Sequence, residues 1–161
     1  MSVLIVYDSA YGNTARVAQA IASAMGVEAA VRPVGQSRLE GLSGVSLLVV
    51  GSPTQGGQPT AAMLAWLAKL TPAQLRGVSF AAFDTRIDSE AKGVGLRLLT
   101  SLIGYAAPRM ASTLSRLGAV QCAEPEGFIV TGKEGPLAAG ELDRARSWGA
   151  RLARYALVPA A

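Results

Sequence analysis

The sequence predicts a three-layer α/β sandwich built on about five parallel strands. Three observations lead there. Short, almost wholly apolar runs recur along the chain, stretches of helical period separate them, and each separating stretch is long enough for a crossover. Runs that are apolar at every position belong to strands buried on both faces. Parallel pairing of such strands requires crossovers, and helices in those crossovers cover both faces of the sheet.

The elements follow in order. Val3 to Tyr7 is a short apolar run suited to a buried strand. Asn13 to Met25 changes period: Val17, Ile21 and Ala24 share one side of a helix, and Gly26 is its expected stop. Val27 to Pro33 is a weaker strand, and Glu28 and Arg32 give it the look of an edge. Val45 to Val50 is nearly all apolar, and Pro59 opens a helix carrying Leu64, Leu67 and Leu70. Val78 to Phe83 is a third interior strand. Ala119 to Cys122 and Phe128 to Thr131 flank a bend at Glu124-Pro125-Glu126-Gly127 and read as one interrupted strand. A closing helix from Gly140 to Tyr155 puts Leu142, Ala145, Gly149 and Leu152 on one face. Lys92 to Leu117 is less regular. Val94, Leu98, Leu99, Leu102 and Ile103 keep helical spacing, Gly104 and Pro108 interrupt it, and Ala111, Leu114 and Leu117 resume it. Two short helices or one bent helix satisfy that pattern. No linker, repeat or compositional break divides the chain, so residues 1–161 are expected to form one domain.

Composition narrows the chemistry. Half of the 161 residues are hydrophobic and 16% are charged, which supports a real core and argues against disorder. Alanine and glycine together supply over a quarter of the chain, giving close-packed helices and many turns. There is no histidine and one cysteine, Cys122, so no internal disulfide, no Cys-His pair and no histidine- or cysteine-based zinc or haem site can form. Cys122 reads as a small hydrophobe in or beside a strand. The amino terminus lacks a basic leader, and no run of about 18 apolar residues occurs, so the expectation is a cytoplasmic protein without a membrane span. Fifteen basic residues against 11 acidic leave a net charge of +4, a mild bias that does not by itself choose a partner.

In open α/β sheets a ligand sits beyond the carboxyl ends of the strands, where strand order reverses. Three loops leave those ends. The first is Asp8-Ser9-Ala10-Tyr11-Gly12-Asn13-Thr14. Ser9, Asn13 and Thr14 offer side-chain donors, and backbone N–H groups at the amino end of the helix point outward, which makes an anion cradle without lysine. The same residues also serve as an ordinary cap, with Asn13 or Ser9 satisfying helix N–H groups. The second, Gly51-Ser52-Pro53-Thr54-Gln55-Gly56-Gly57-Gln58-Pro59, holds two prolines and three glycines without a charge. It suits a flat polar ligand approached by backbone amides, or a rigid turn. The third is Asp84-Thr85-Arg86. Asp84 is a candidate acceptor for ligand hydroxyls or amides, and Arg86 either pairs with it, covers a bound group, or forms a surface ion pair with Asp88 or Glu90.

Together these loops resemble a known family. S-A-Y-G-N-T at Ser9 to Thr14 is similar to the phosphate loop of flavodoxin-like proteins. S-P-T-Q-G-G-Q-P from Ser52 matches their second, flavin-flanking loop, and F-D-T-R at Phe83 to Arg86 matches the third loop of a subgroup. The run G-K-E-G-P-L-A-A-G-E-L-D-R-A-R-S-W-G from Gly132 resembles that subgroup's closing segment. The resemblance covers nearly the whole chain. It implies a 2-1-3-4-5 parallel sheet that holds FMN non-covalently and carries electrons. By position it assigns Ser9, Ala10, Tyr11, Gly12, Asn13 and Thr14 to the FMN phosphate. Pro53, Thr54, Gln55, Gly56 and Gly57 fall to one side of the isoalloxazine, and Asp84, Thr85 and Arg86 to the other side or the ribityl chain.

The chain departs from the family in three respects. Gln55 stands where flavodoxins commonly place Trp or Tyr, leaving Tyr105 or Tyr11 as the candidate rings. The chain is basic where typical flavodoxins are strongly acidic, with Arg97, Arg109 and Arg116 in the irregular segment and Arg144, Arg146, Arg151 and Arg154 on the last helix. Those four also make a plain solvated face. The expected consequence is a less negative potential for the fully reduced flavin and a redox partner protein or small-molecule acceptor that is negatively charged. Ser89 to Gly104 exceeds a minimal connection and exposes positions such as Leu96, as a lid, a dimer contact or a partner surface would. Two function classes stand. In one, FMN reacts and the chain tunes it, as an electron carrier or as a small oxidoreductase like the flavodoxin-like quinone reductases and protoporphyrinogen oxidase. In the other, the fold has lost flavin and serves in binding or regulation. A receiver domain lacks its acidic pair here, and a nucleic-acid role has too few aromatic residues for stacking.

Overall fold

The computed structural model describes residues 2–88 and 104–156. Its sheet contains β1 (Ser2–Tyr7), β2 (Ala29–Pro33), β3 (Val45–Pro53), β4 (Ser79–Ile87), β5 (Val120–Gln121) and β6 (Glu126–Val130). The order is β2-β1-β3-β4-β5, every pairing is parallel, and β6 also pairs with β4. β5 runs beside Ser79 and Phe80, and β6 beside Phe83 to Ile87, so the two share the fifth position of a 2-1-3-4-5 sheet. The interruption is shorter than the sequence suggests, because Glu126 and Gly127 already pair with Phe83 and Asp84. β2 is the edge strand that its charges indicated.

The helices are α1 (Asn13–Ser23), α2 (Ala61–Leu67), α3 (Pro72–Leu75), α4 (Ala106–Arg116) and α5 (Glu141–Ala156). Two differences from the sequence reading have local causes. Pro59 does not open α2; Thr60 does, its Oγ1 accepting from the Met63 N–H at 3.2 Å as a helix cap. Pro108 does not interrupt α4, because it lies in the first turn, where a missing N–H breaks no helical bond. The first half of the irregular span, including Leu96 and Arg97, lies outside the described residues.

Alternation along the strands sorts side chains into two cores. Leu48, Val50, Phe80 and Ala82 face α2 and α4, while Ile5, Val49, Ala81 and Phe83 face α1 and α5. On the second side Phe83, Phe128 and Trp148 meet edge to face, with centroids 6.0–6.2 Å apart. Two glycines make this layer possible. A Cβ on Gly51 would stand 2.1 Å from Phe83, and one on Gly149 would stand 2.3 Å from the Ile21 carbonyl oxygen, where α5 crosses α1. Cys122 is half-buried beside β5, and burial pushes its thiol up to about 11, as befits a packing residue. Among the described residues no helix is long and apolar enough to cross a membrane, and no cluster of acidic, cysteine or histidine side chains suits a metal ion.

Candidate functional site

The site lies beyond the carboxyl ends of β1, β3, β4 and β6. Asp8 organises the first loop from below. Its N–H donates to the Gly51 carbonyl at 2.9 Å, its Oδ1 accepts from the Ser9 N–H at 2.9 Å, and its Oδ2 accepts from Thr60 Oγ1 at 2.5 Å. The Thr60 N–H donates to Ser52 Oγ at 3.0 Å, so the first and second loops share one polar network. Ser9 Oγ in turn accepts from the N–H groups of Gly12 (3.1 Å) and Ala15 (3.3 Å). Ser9 is therefore the capping residue at this end of α1. The chain enters the helix through Gly12 at φ 89°, a left-handed conformation that favours glycine.

That capping is incomplete. The first helical bond of α1 runs from the Arg16 N–H to the Gly12 carbonyl. The N–H groups of Ala10, Tyr11, Asn13 and Thr14 have no acceptor among the described residues. Four backbone donors are thus left unpaired around the start of α1, where the helix dipole is positive. Thr14 is buried, its Oγ1 2.8 Å from that of Thr85. Asn13 Nδ2 donates to the Glu134 carbonyl at 3.0 Å and ties the loop after β6 to α1.

The second loop is a tight hairpin. Gln55 and Gln58 exchange N–H to carbonyl bonds of 2.9 and 3.0 Å, and Gly56 and Gly57 between them have φ of 55° and 77°. Positive φ at both central positions defines the twisted two-residue turn that glycine best satisfies. The rigid turn and the amide-bearing loop are thus one structure. Thr54 anchors it, its N–H donating to the Thr85 carbonyl at 2.9 Å and its Oγ1 accepting from the Ala106 N–H at 3.0 Å. Arg109 Nε donates to the Gly57 carbonyl at 2.8 Å.

The third loop is no loop. β3 and β4 both continue past their apolar runs, with Ser52 opposite Asp84 and Pro53 opposite Thr85. Side-chain alternation therefore governs these residues. Thr85 faces α1, while Asp84 and Arg86 face α4. Arg86 binds the buried Asp84 through Nε (2.6 Å) and Nη2 (2.7 Å), and the Ala107 N–H donates to the same carboxylate at 2.8 Å. Tyr105 stacks on the guanidinium, 3.6 Å from Cζ to ring centroid, and on its other side Gly127 leaves room for it: a Cβ there would come within 2.3 Å of Cζ. The ion pair is the buried one with Asp84, and Glu90 lies outside the described residues.

These elements enclose a cavity of about 520 Å³. Ten sequence-selected residues line it: Ser9, Ala10, Tyr11, Asn13 and Thr14, then Pro53, Thr54 and Gln55, then Thr85 and Arg86. Gly12, Gly56 and Gly57 shape the turns without lining the wall, and Asp84 lies behind Arg86 with its carboxylate occupied. Sequence reasoning passed over Ile87, Val130 and Lys133, which complete the wall, and the Asp8–Thr60–Ser52 network beneath it. A signal for Lys133 existed, since the closing segment carries a lysine in a Gly-Lys-Glu-Gly turn beyond a strand. Cavities of similar volume lie elsewhere, including one of about 550 Å³ between Leu42 and Gly77. Position and donors, rather than size, single this one out. Among the described residues its wall contains two cations and no carboxylate.

β6 is held in place from behind. Glu141 Oε2 accepts from the Ile129 N–H at 2.6 Å, and Arg144 bonds Glu141, Glu126 and the Gly127 carbonyl while lying over the Phe128 ring. Burial works against ionisation of Glu141, but Arg144 and the Ile129 N–H outweigh it and hold its carboxyl below the ordinary range. The same contacts raise Arg144 above its usual value, the bond to Glu141 foremost.

A doubly wound sheet with a cavity between the first helix and two further strand ends defines a flavodoxin-like α/β protein. Solved structures agree. The chain is similar to a flavodoxin from the domain Archaea at 20% identity, covering 96% of this chain and 97% of that one, with a TM-score of 0.74. It is similar to oxidised Flavodoxin 1 from Bacillus cereus at 17% identity, covering 96% and 98%, with a TM-score of 0.70. It also matches 36% of the flavodiiron protein from Giardia intestinalis with 97% of its own length, at 20% identity and a TM-score of 0.74. No curated protein sequence matches it. Residues 5–148 match the family model for flavodoxin, and the chain belongs to the flavodoxin family.

Proposed function

We propose that this chain binds FMN non-covalently in the cavity and transfers electrons between redox partners. The observation that carries the proposal is the set of four amides around the start of α1 that have no partner among the described residues, on a cavity whose described wall has no carboxylate. A dianionic phosphate matches that donor set. Ser9, Ala10, Tyr11, Gly12, Asn13 and Thr14 would hold it. Pro53, Thr54 and Gln55, on the rigid Gly56-Gly57 turn, would bound one side of the ring system. Thr85 and Arg86 would bound the other, with Asp84 and Tyr105 fixing the guanidinium. The bound flavin supplies reversible one- and two-electron chemistry, so the chain needs no catalytic side chain of its own. What its residues do is bind, orient and set the electrostatics. We further propose that residues 1–161 act as one domain in the cytoplasm, a reducing setting that suits a single half-buried thiol. The partner, whether protein or small acceptor, is assigned a negative charge, complementary to the chain's net charge of +4.

Purification in the presence of FMN tests the proposal. A retained, stoichiometric chromophore with quenched flavin fluorescence is expected. A colourless protein that leaves added FMN fully fluorescent would assign the fold to a flavin-free binding role.

A further inference from the structure

We infer that Lys133 determines specificity for a phosphorylated ligand at this cavity, by adding a full positive charge to a cradle otherwise made of neutral amides. The inference rests on the FMN reading above and concerns how the terminal anion is selected.

Lys133 stands at the corner of a short turn beyond β6. The Gly135 N–H donates to the Gly132 carbonyl at 3.1 Å, and the Thr131 N–H and Oγ1 both donate to the Pro136 carbonyl, at 2.9 and 3.0 Å. The turn is docked on the first turn of α1 by contacts that do not involve the lysine. Asn13 Nδ2 donates to the Glu134 carbonyl, and Gly135 packs so closely under Asn13 that a Cβ would lie 2.6 Å from Nδ2. Lys133 is thereby brought onto the same wall as Asn13 and Thr14 by backbone architecture. Its side chain is exposed and has no ion pair among the described residues.

The charge balance of the wall gives this placement its consequence. Arg86 is the other cation there, and Asp84 neutralises it through a two-point ion pair. Lys133 is thus the uncompensated charge on the described wall. Amides at a helix start present about half a charge in total and respond to any acceptor. An ammonium adds a whole charge, and its attraction scales with the charge of the ligand and is weakened by salt. A ligand with a phosphate gains from it; the same ring system ending in a hydroxyl does not.

The test uses the intact chain freed of flavin and titrated with FMN and with riboflavin, following flavin fluorescence. Lys133→Gln is expected to weaken FMN about tenfold at low salt, in line with a charge-assisted contact to phosphate, and to change riboflavin less than about twofold. Lys133→Arg should restore FMN affinity. Phosphate monoesters lose their second charge below about pH 6, so FMN affinity of the unsubstituted chain should fall there more steeply than that of Lys133→Gln. Equal losses for both flavins, or unchanged FMN affinity in Lys133→Gln, would overturn the inference. An unsubstituted chain that binds neither flavin overturns the reading of the cavity itself, and does so before any variant is made.

Discussion

Asn13 and Thr14 are neighbours in the first turn of α1, yet they work in different directions. Thr14 points into the protein and meets Thr85 across the cavity floor, so it couples α1 to β4. Asn13 points outward and holds the turn that carries Lys133. Both also present unpartnered N–H groups to the cavity. Thr14→Ala removes a hydroxyl pair and leaves Thr85 without its partner, while Asn13→Ala frees the 132–135 turn. Either change is expected to weaken FMN by about tenfold or more and riboflavin far less, since each acts at the phosphate end of the cavity. Paired fluorescence titrations check this, and equal weakening of the two flavins would move the phosphate elsewhere. These positions were legible in the sequence because a Ser/Thr/Asn-rich loop between an apolar run and a helix has few structural meanings. Asp84 was legible only in part. Its proximity to Arg86 in sequence suggested a pair, but the burial of that pair depends on Gly127 and Tyr105, which lie far along the chain.

Elements depend on close approach as much as on period. α5 crosses α1 at Gly149, where the Ile21 carbonyl oxygen occupies the space of a side chain. Gly149→Ala gains helix propensity of up to about 1 kcal/mol, but it forces two packed backbones apart, which costs about 1–3 kcal/mol. A net loss of up to about 2 kcal/mol is expected from the shift in a urea unfolding midpoint, and a gain would show that the crossing is looser than the structure indicates. β6 depends on charge instead. Glu141 is held ionised by Arg144 and the Ile129 N–H, so its folded-state pKa lies below the unfolded value. Such a group stabilises the fold above its unfolded pKa, near 4.5, and the contribution disappears as pH falls through the lower folded value. Glu141→Gln should therefore be less stable than the parent chain at pH 7 and lose less on acidification. Urea midpoints that stay a constant distance apart from pH 7 to pH 3 would contradict this. The longer helices, the interior strands and the interrupted fifth strand were readable from periodicity, whereas the four-residue α3 and the ends of β3 and β4 were not. Polar residues such as Ser52 and Asp84 carry no apolar signal, and only the pairing of neighbouring strands keeps them extended. The same holds for Pro108, whose meaning reverses once it falls in a helix's first turn.

At the scale of the whole molecule the question is how a net charge of +4 reaches a reacting ring. Much of that charge is diffuse. Arg32, Arg38, Lys69 and Arg76 are exposed around β2, α2 and α3 and have no ion pair among the described residues. On α5, Arg144 and Arg146 are paired with carboxylates. Distant exposed charges are screened beyond about 8–10 Å at moderate salt. What persists is local: among the described residues the wall has no carboxylate, Arg86 is neutralised by Asp84, and Lys133 stands at the phosphate end. Reduction places negative charge on a flavin, and carboxylates nearby oppose it, so their absence moves the potential of the fully reduced form in the less negative direction. One carboxylate near the ring would be worth on the order of 1 kcal/mol, roughly 40 mV for a one-electron step, and that is the scale of the effect its absence has. The expected result of a redox titration with bound FMN is therefore a less negative final couple than that of an acidic flavodoxin measured alongside. Raising the salt separates the two sources of charge. The diffuse part of the difference should fade, and the part set by the wall should remain and shrink in Gln55→Glu, which puts a carboxylate beside the ring. A final couple as low as that of the acidic protein, at low and high salt alike, would mean that charge around this cavity does not govern the flavin and that ring contacts at Gln55 and Thr54 do.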